Sequence, residues 1–552
     1  MNDESPSVVH TTDGLTIVFR GRNLYHPATP RRSACARTQS VKVPNYTLVI
    51  VASPLIGHGL LPLLERCDGT CRFVLLELEP KLAEITRRIL PREIFDDPRV
   101  TIVTPDTPDQ LEHQFSRELF SHCRRAMLVR PSGGYALHAR HYDRVLEWSQ
   151  DEIRRAWQNR LTTMHMGRLW FRNLFDNLPL LPASQPLHTV ALNRPVVVVG
   201  AGPSLERLLP SLSEQRTSLF LLAVDTAVPV LGSANIRPDA VVAVEAQHAN
   251  LSDFIGADLS QTHLITDLFS LPSVARQTVS NRRSFFTSLA VESRLLDRLR
   301  IAGILPPELP PLGSVGVVAV ALAAQLTASP IALAGLDFAY PDGKSHARGA
   351  PWMIRELVRT YRLRRGEIYG ACLARPRISV PGKTGAPCKS DIVLLSYAEQ
   401  VRALCAQRPG VFDVSPEGLP TGAQLVSGIK EYLGQVAHAE RSANQSHTGP
   451  RSAGIDLTPA PSAQTIALFL KRERALVSAT REAALAAAAH LTATTQNAFE
   501  QAVSETDYVA CGLPITPDAP EAARPIAASA GFFLVRIDRA IARLEEANPR
   551  RS

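Results

Sequence analysis

The sequence predicts an α/β protein built around a central Rossmann-like, mostly parallel sheet, with a smaller N-terminal α/β domain and a C-terminal helical domain. Two observations carry this. Short continuous apolar runs, such as the four valines at 196–199, alternate with helical stretches from about 195 to 428. Strands buried on both faces of a parallel sheet read this way. Each run also ends in a polar or glycine-containing turn, and in an open parallel sheet such ends share one crevice.

The N-terminal domain is expected over residues 1–140. "YTLVIVASPLIGHGLLPLLE" reads as strand, glycine turn and helix; "CRFVLLELEP" and "RVTIVTP" read as two further strands. The order predicts a small parallel sheet. Glu77 or Glu79 stands where such a sheet would hold a ribose hydroxyl. "SPLIGHG", however, is a poor phosphate loop, with Pro54 and a bulky Ile56, so a scaffolding domain is the expectation. A helical connector follows over 141–194, with Trp170, Phe171 and Phe175 at the spacing of a core-facing stripe.

The central domain is expected over 195–428. Its stretch "GSVGVVAVALAAQLTASPIALAG" carries Gln325, Thr327, Ser329 and Pro330, so it reads as buried helix, turn and buried strand rather than a membrane span. Residues 429–461, with the polar and Pro/Gly-rich "HAERSANQSHTGPRSAGIDLTPAP", read as a flexible linker. From 462 to 552 Ala-rich helical periodicity takes over, a domain suited to packing, self-association or docking of a protein.

Composition bounds the function. The 552 residues exceed one ordinary core, and 45% hydrophobic with 20% charged residues describes a folded globular chain. The net charge of +8 suits an anionic ligand, yet no Lys/Arg block is long enough for a nucleic-acid arm. Of eight scattered cysteines only Cys67 and Cys71 lie close, and no second pair completes a zinc pattern. Reduced thiols and a start lacking signal-peptide order point to the cytoplasm.

The candidate site collects at the strand ends. In "VVVVGAGPSLE", Gly200 and Gly202 permit a tight turn and close approach of a ligand, Pro203 fits a helix start, and Ser204 opens the helix. Free N–H groups there, with the helix dipole and the Ser204 hydroxyl, favour an anion. Asp225 ends the next strand; Glu245, Gln247 and Asn250 end another. Gly313, Ser314 and Gly316 mark a second helix start, and Asp337, Lys344 and His346 follow a further strand.

In order and spacing, "VVGAGPSLE", "DTAVPVLGSANIRPDAVVAVEAQHAN", "GSVGVVAVALA" and "LAGLDFAYPDGKSHARG" resemble the motility accessory factors. These proteins share their central domain with 6-hydroxymethylpterin diphosphokinase MptE-like proteins. "YHPATPRRSA", "FRNLFDNLP" and "GAPCKSDIVLLSYAEQ" are weaker matches to the same family. The resemblance implies a glycosyltransferase that moves a nonulosonic acid, of pseudaminic or legionaminic type, from a CMP-activated donor to Ser/Thr of flagellin, so its implied partners are flagellin and the CMP-sugar. The first turn and the Gly313–Asp337 unit also look like the donor-binding segments of bacterial sialyltransferases. That similarity implies that the first turn and Asp225 lie near the nucleotide, and that Ser314 and Gly316 lie against the cytidine or its phosphate. Ala201 departs from that pattern, which has an amide side chain there.

Two alternatives stand beside this reading: a 6-hydroxymethyl-dihydropterin diphosphokinase using ATP and Mg²⁺, and a non-catalytic flagellin-binding chaperone. The kinase wants several carboxylates after the "RPDAVV" strand, where this chain offers Glu245 alone. No Asp-x-Asp is present, and a CMP-sugar leaves with a single phosphate that N–H groups and a hydroxyl can stabilise. No cofactor is therefore expected. For the acceptor hydroxyl, His346 is the first candidate base, with Asp337 and Glu245 as alternatives. Lys344 is the candidate to neutralise the sugar carboxylate.

Overall fold

The computed structural model describes residues 5–104, 115, 117–190, 192, 194–288, 293–363, 372, 374–445, 459–513 and 520–547. The chain divides into two compact units, Met1–Thr163 and Met164–Ser552, and the boundary falls inside the helix Ala139–Asn177.

The first unit opens with an antiparallel meander that sequence periodicity did not reveal: β1 (Ser7–Thr11), β2 (Gly14–Phe19) and β3 (Arg22–Asn23). The expected parallel strands follow as β4 (Thr47–Ala52), β5 (Arg72–Leu76) and β6 (Val100–Val103). A fourth, β7 (Arg125–Val129), pairs with β4, giving the order β6-β5-β4-β7. The crevice between β4 and β7 is closed by side chains. Ser53 Oγ donates to Glu77 Oε2 at 2.7 Å, Ser132 Oγ donates to the Ser53 carbonyl at 2.7 Å, and Tyr25 and Tyr142 are buried. Burial raises the Glu77 carboxyl to about 7. Glu79 pairs with Arg20 and His138 instead of facing a cavity. Neither glutamate is presented to a ribose.

The second unit holds an eight-stranded sheet with every pairing parallel. Its strands are β8 (Val196–Val199), β9 (Phe220–Val224), β10 (Ala240–Ala243), β11 (His263–Asp267), β12 (Arg283–Phe286) and β13 (Ile331–Ala334). A hairpin, β14 (Ile378–Pro381) with β15 (Pro387–Ser390), stands apart from the sheet. Two short strands, β16 (Val411–Asp413) and β17 (Gln424–Leu425), extend the sheet's edge. The order β12-β11-β10-β9-β8-β13-β16-β17 reverses between β8 and β13, the topological switch point at which such sheets take ligands. The segment read as helix, turn and strand is the helix Val315–Leu326 followed by β13. Among the described residues no helix is long and apolar enough to cross a membrane.

The C-terminal helices Ala463–Ala489, Ala493–Glu505 and Ala523–Glu546 share one core with Phe171, Phe175, Leu268, Phe285 and Leu295. Phe171 and Phe175 are core residues, as their spacing predicts, and Trp170 is half-buried beside them. The flexible linker expected over 429–461 needs correction in its first half. Residues Ile429–Gln445 form a helix, because Ile429, Tyr432 and Val436 pack into the sheet's core, and the Tyr432 hydroxyl donates to the Val196 carbonyl at 2.8 Å. Residues 446–458 of that stretch lie outside the described residues.

At the switch point the turns after β8 and β13 touch backbone to backbone. Gly200 N–H donates to the Ala334 carbonyl and Gly202 N–H to the Gly335 carbonyl, both at 2.8 Å. A Cβ on Gly200 would lie 2.5 Å from the Gly335 oxygen. Gly335 itself has φ +66°, a conformation that favours glycine. Gly200→Ala is therefore expected to destabilise the protein by about 1–3 kcal/mol, the usual cost of overpacking. Gly232→Ala, in a helix where a Cβ meets nothing within 4 Å, is expected to be neutral or stabilising. Thermal melts of the two variants check the contrast.

Candidate active site at the sheet's switch point

A cavity of about 200 Å³ opens at the switch point. Its floor is the Gly200–Gly202 turn and the Gly335–Ala339 turn, and Thr226 reaches it from the end of β9. One wall is the start of the Val315–Leu326 helix; Leu394 and Tyr397 line another side, and Ser345 and His346 line the cavity as well. This volume lies below the roughly 300–1,000 Å³ of ordinary small-molecule sites, so a larger ligand would extend past the rim.

Two helix starts flank this region, and they differ. The first is already neutralised. Asp337, buried, accepts from the Ser204 N–H at 2.8 Å through Oδ2 and from the Ser204 hydroxyl through Oδ1. With Gly200 and Gly202 donating across the switch, the N–H groups of Gly200, Gly202 and Ser204 are engaged within the protein. The expectation that this turn and the Ser204 hydroxyl hold a ligand anion is thereby corrected: the anion in place is a protein carboxylate. The closeness of the two glycines likewise serves the Gly335 backbone rather than a guest. Pro203 is buried beside them.

The second start is open. Ser314 is the N-cap: its hydroxyl accepts from Val317 N–H at 3.3 Å and its carbonyl from Val318 N–H at 3.0 Å. The N–H groups of Val315 and Gly316 precede the first intrahelical bond, and both residues line the cavity. Gly313 N–H donates to Gln400 Oε1 at 3.0 Å, and a Cβ on Gly313 would collide with the Tyr397 ring. Gly313 thus lets Tyr397 close over the helix start.

His346 is half-buried in the cavity wall. Its Nδ1 lies 3.0 Å from Ser345 Oγ, and its ring centroid is 6.4 Å from that of Trp352. Burial, then the charge of Arg355, holds its pKa below the ordinary value of 6.5, so the ring is neutral at pH 7. Two clamps fix its loop. Ala347 N–H donates to the Ala201 carbonyl at 2.8 Å. Glu206 binds Lys344 Nζ at 3.3 Å and Arg348 N–H at 2.9 Å. The charge of Lys344 is engaged by Glu206, which corrects the expectation of a lysine free for a sugar carboxylate.

The remaining sequence candidates do not line the cavity. Asp225 is buried beside Thr226 and accepts from Asn250 Nδ2, which also reaches Asp253, both at 2.8 Å. Burial raises the pKa of Asp225. Burial and then the Asp225 charge raise Asp253 to about 7. Glu245 is exposed and accepts from Gln247 N–H at 2.9 Å, stabilising its own loop; the exposed Gln247 side chain meets Met166. Glu245 is thus corrected as a candidate base for this cavity. Among the described residues no group of three or more His, Cys, Asp or Glu side chains is arranged to hold a metal ion.

Several residues escaped the sequence reading. Lys383 pairs with Asp413 at 2.8 Å, both nearly fully buried, and its charge favours ionised Asp337 against the rise that burial causes. Ser415 joins the group through Ser204 Oγ at 3.2 Å. Asn173 and Asn177 clip the loops after β10 and β11 through four carbonyls at 2.9–3.1 Å. The signals were present in "FRNLFDNLP" and "GAPCKSDIVLLSYAEQ", which carry Asn173, Asn177 and Tyr397 without saying what they touch. A second groove, of about 530 Å³, runs past Ser204, Arg207, Ser415 and Lys430. It is larger, but Arg207 is paired with Glu417 and Lys430 with Glu214, so its cations are compensated. The switch-point cavity has the open helix start.

Residues 170–343 match the 6-hydroxymethylpterin diphosphokinase MptE-like family. An uncharacterised protein of Treponema pallidum (strain Nichols) is 31% identical over 422 residues, 75% of this chain and 73% of its own. A second Treponema pallidum protein is 31% identical over 86 residues, 15% of this chain and 41% of its own. The structure of the MAf glycosyltransferase from Magnetospirillum magneticum AMB-1 is similar in fold, with a TM-score of 0.57 and 16% identity over 99% of this chain and 89% of that one. The chain belongs to the family of the longer Treponema relative, with an MptE-like domain at its centre. The expected MptE-like central domain is borne out by the family match, and the likeness to the MAf glycosyltransferase is one of fold.

Lys383→Met removes the cation that pairs with Asp413 and offsets the charge of Asp337. Breaking a buried pair in this way costs about 3–5 kcal/mol. The expected outcome is a markedly lower melting temperature; an unchanged melt would mean that the network bears no load.

Proposed function

We propose that the protein is a glycosyltransferase that moves a nonulosonic acid from a CMP-activated donor to Ser/Thr hydroxyls of flagellin. One observation carries the reading: an open helix N-terminus and a neutral histidine line the same cavity at the switch point. The fold shared with the MAf glycosyltransferase supports it.

On this reading the donor's phosphate lies at the N–H groups of Val315 and Gly316. As the bond to the anomeric carbon lengthens, negative charge grows on the departing CMP, and fixed N–H dipoles stabilise it without reorganising. Leu394 and Tyr397 supply an apolar wall for the cytosine ring. Asp337, close by, would repel the phosphate, and Lys383 offsets that charge. In the tautomer whose Nδ1–H donates to Ser345 Oγ, His346 takes the proton from the acceptor hydroxyl on Nε2 as the hydroxyl oxygen bonds to the anomeric carbon. The proton leaves on the imidazolium, and CMP carries away the bonding electron pair.

The MptE-like match favours one competing reading, diphosphoryl transfer from ATP to a hydroxymethyl-dihydropterin. Incubation with CMP-nonulosonate and flagellin is expected to add the sugar's mass at Ser/Thr. Release of AMP from ATP with the pterin, and no sugar transfer, would replace the proposal. His346→Asn is expected to lower kcat by about 10²-fold or more. Because burial lowers the pKa of His346, the wild-type kcat should fall only below about pH 6.5 and stay flat above it. A pH–kcat profile with its limb above pH 7 would remove His346 as the base.

A further inference from the structure

Directly after the His346 loop, the helix Pro351–Val358 is packed on one side only. Pro351 and Met353 are buried, while Ile354, Leu357 and Val358 face solvent. Positions i, i+3 and i+4 of a helix form one stripe. Tyr361 and Leu363 extend the exposed run beyond the helix, and exposure ranges from 47% at Ile354 to 87% at Leu363. Single exposed apolar residues are ordinary, but five within ten residues make a patch. Arginines flank it. Residues 347–363 contain Arg348, Arg355, Arg359 and Arg362 against one acid, Glu356, which pairs with Arg359 at 3.5 Å. All four arginines are exposed. The helix that carries the patch starts beside the cavity wall, since Trp352 in its first turn stands 6.4 Å from the His346 ring.

We propose that this surface docks the acceptor polypeptide, through an apolar segment of the acceptor flanked by aspartate or glutamate. The inference rests on the transferase reading and adds where the acceptor binds and what chemistry selects it. Arginine interleaved with aliphatic and aromatic side chains is the composition of protein interfaces, and the excess of arginine over acid within residues 347–363 selects an acidic partner. Docking on the helix whose first turn meets His346 would bring the acceptor chain toward its base, which turns a bimolecular encounter into a positioned one.

The test immobilises the full chain and titrates flagellin from the same organism. Arg359→Glu with Arg362→Glu, and separately Val358→Asp with Leu363→Asp, are each expected to weaken flagellin binding by about tenfold or more, a difference near 1.4 kcal/mol. All four side chains are exposed, so melts should match wild type, and CMP titration should be unchanged. The Arg359→Lys, Arg362→Lys variant is expected to keep flagellin binding, since the charge remains. Equal flagellin binding by wild type and both disruptive variants overturns the docking surface and leaves the transferase reading standing. So does flagellin binding by neither. Vesicles containing phosphatidylglycerol, bound by wild type and lost in the variants while flagellin binding holds, would make the patch a membrane surface and overturn the proposal. Failure of wild type to bind CMP counts against the transferase reading alone, and the flagellin arm still decides the surface.

Discussion

The second unit is organised by the backbone contact between Gly200 and Gly335. Strands β8 and β13 are neighbours, yet the chain leaves the sheet on opposite sides of them, so their following turns cross at one point. Only residues without Cβ can let two turns exchange N–H···O bonds at this distance. The cavity exists because the crossing is tight: the turns form its floor, and the helices that continue from the sheet diverge above it. The same reversal in the N-terminal sheet, between β4 and β7, is filled by Ser53, Glu77 and Ser132. Two similar topologies thus give one plugged crevice and one open one, and side chains rather than strand order make the difference.

Electrostatics then divides the labour at the open crevice. Asp337 caps the first helix start and, with Lys383 and Asp413, forms a buried charge group whose members stabilise one another only as a set. That capping leaves the Val315–Leu326 helix start as the open one on the cavity wall. A residue that looked like chemistry therefore serves structure. Glu206 does similar work on the other side, tying Lys344 and Arg348 so that His346 is held against Ala201.

Much of this architecture was legible in the residues, and the reasons it was not all legible are physical. Strands β8 to β13 announce themselves because apolar runs of that length bounded by glycine and polar turns have few other uses. Edge strands β16 and β17 do not, since two or three residues carry no periodicity. The glycines were read correctly as marks of close approach, but local sequence cannot say what approaches, and here it is Gly335 more than 130 residues away. Asp337, Lys344 and Glu245 were named as candidates by position at strand ends; their partners Ser204, Glu206 and Gln247 were invisible until the chain was folded. Tyr397 was missed because its place in the cavity depends on Gly313, 84 residues earlier in the chain. His346 needed only its loop's position after β13 to be singled out, and it lines the cavity.

On the proposed reading the cavity at the β8–β13 reversal is the nucleotide site, and its anion rests on the second helix start. A crystal structure of the protein with CMP tests it most directly. The expected result places the phosphate within hydrogen-bond distance of the Val315 and Gly316 N–H groups, the base against Tyr397, and the Ser204–Asp337 bonds undisturbed. CMP bound in the groove beside Arg207 and Lys430, or a phosphate that displaces Asp337 from Ser204, would contradict it.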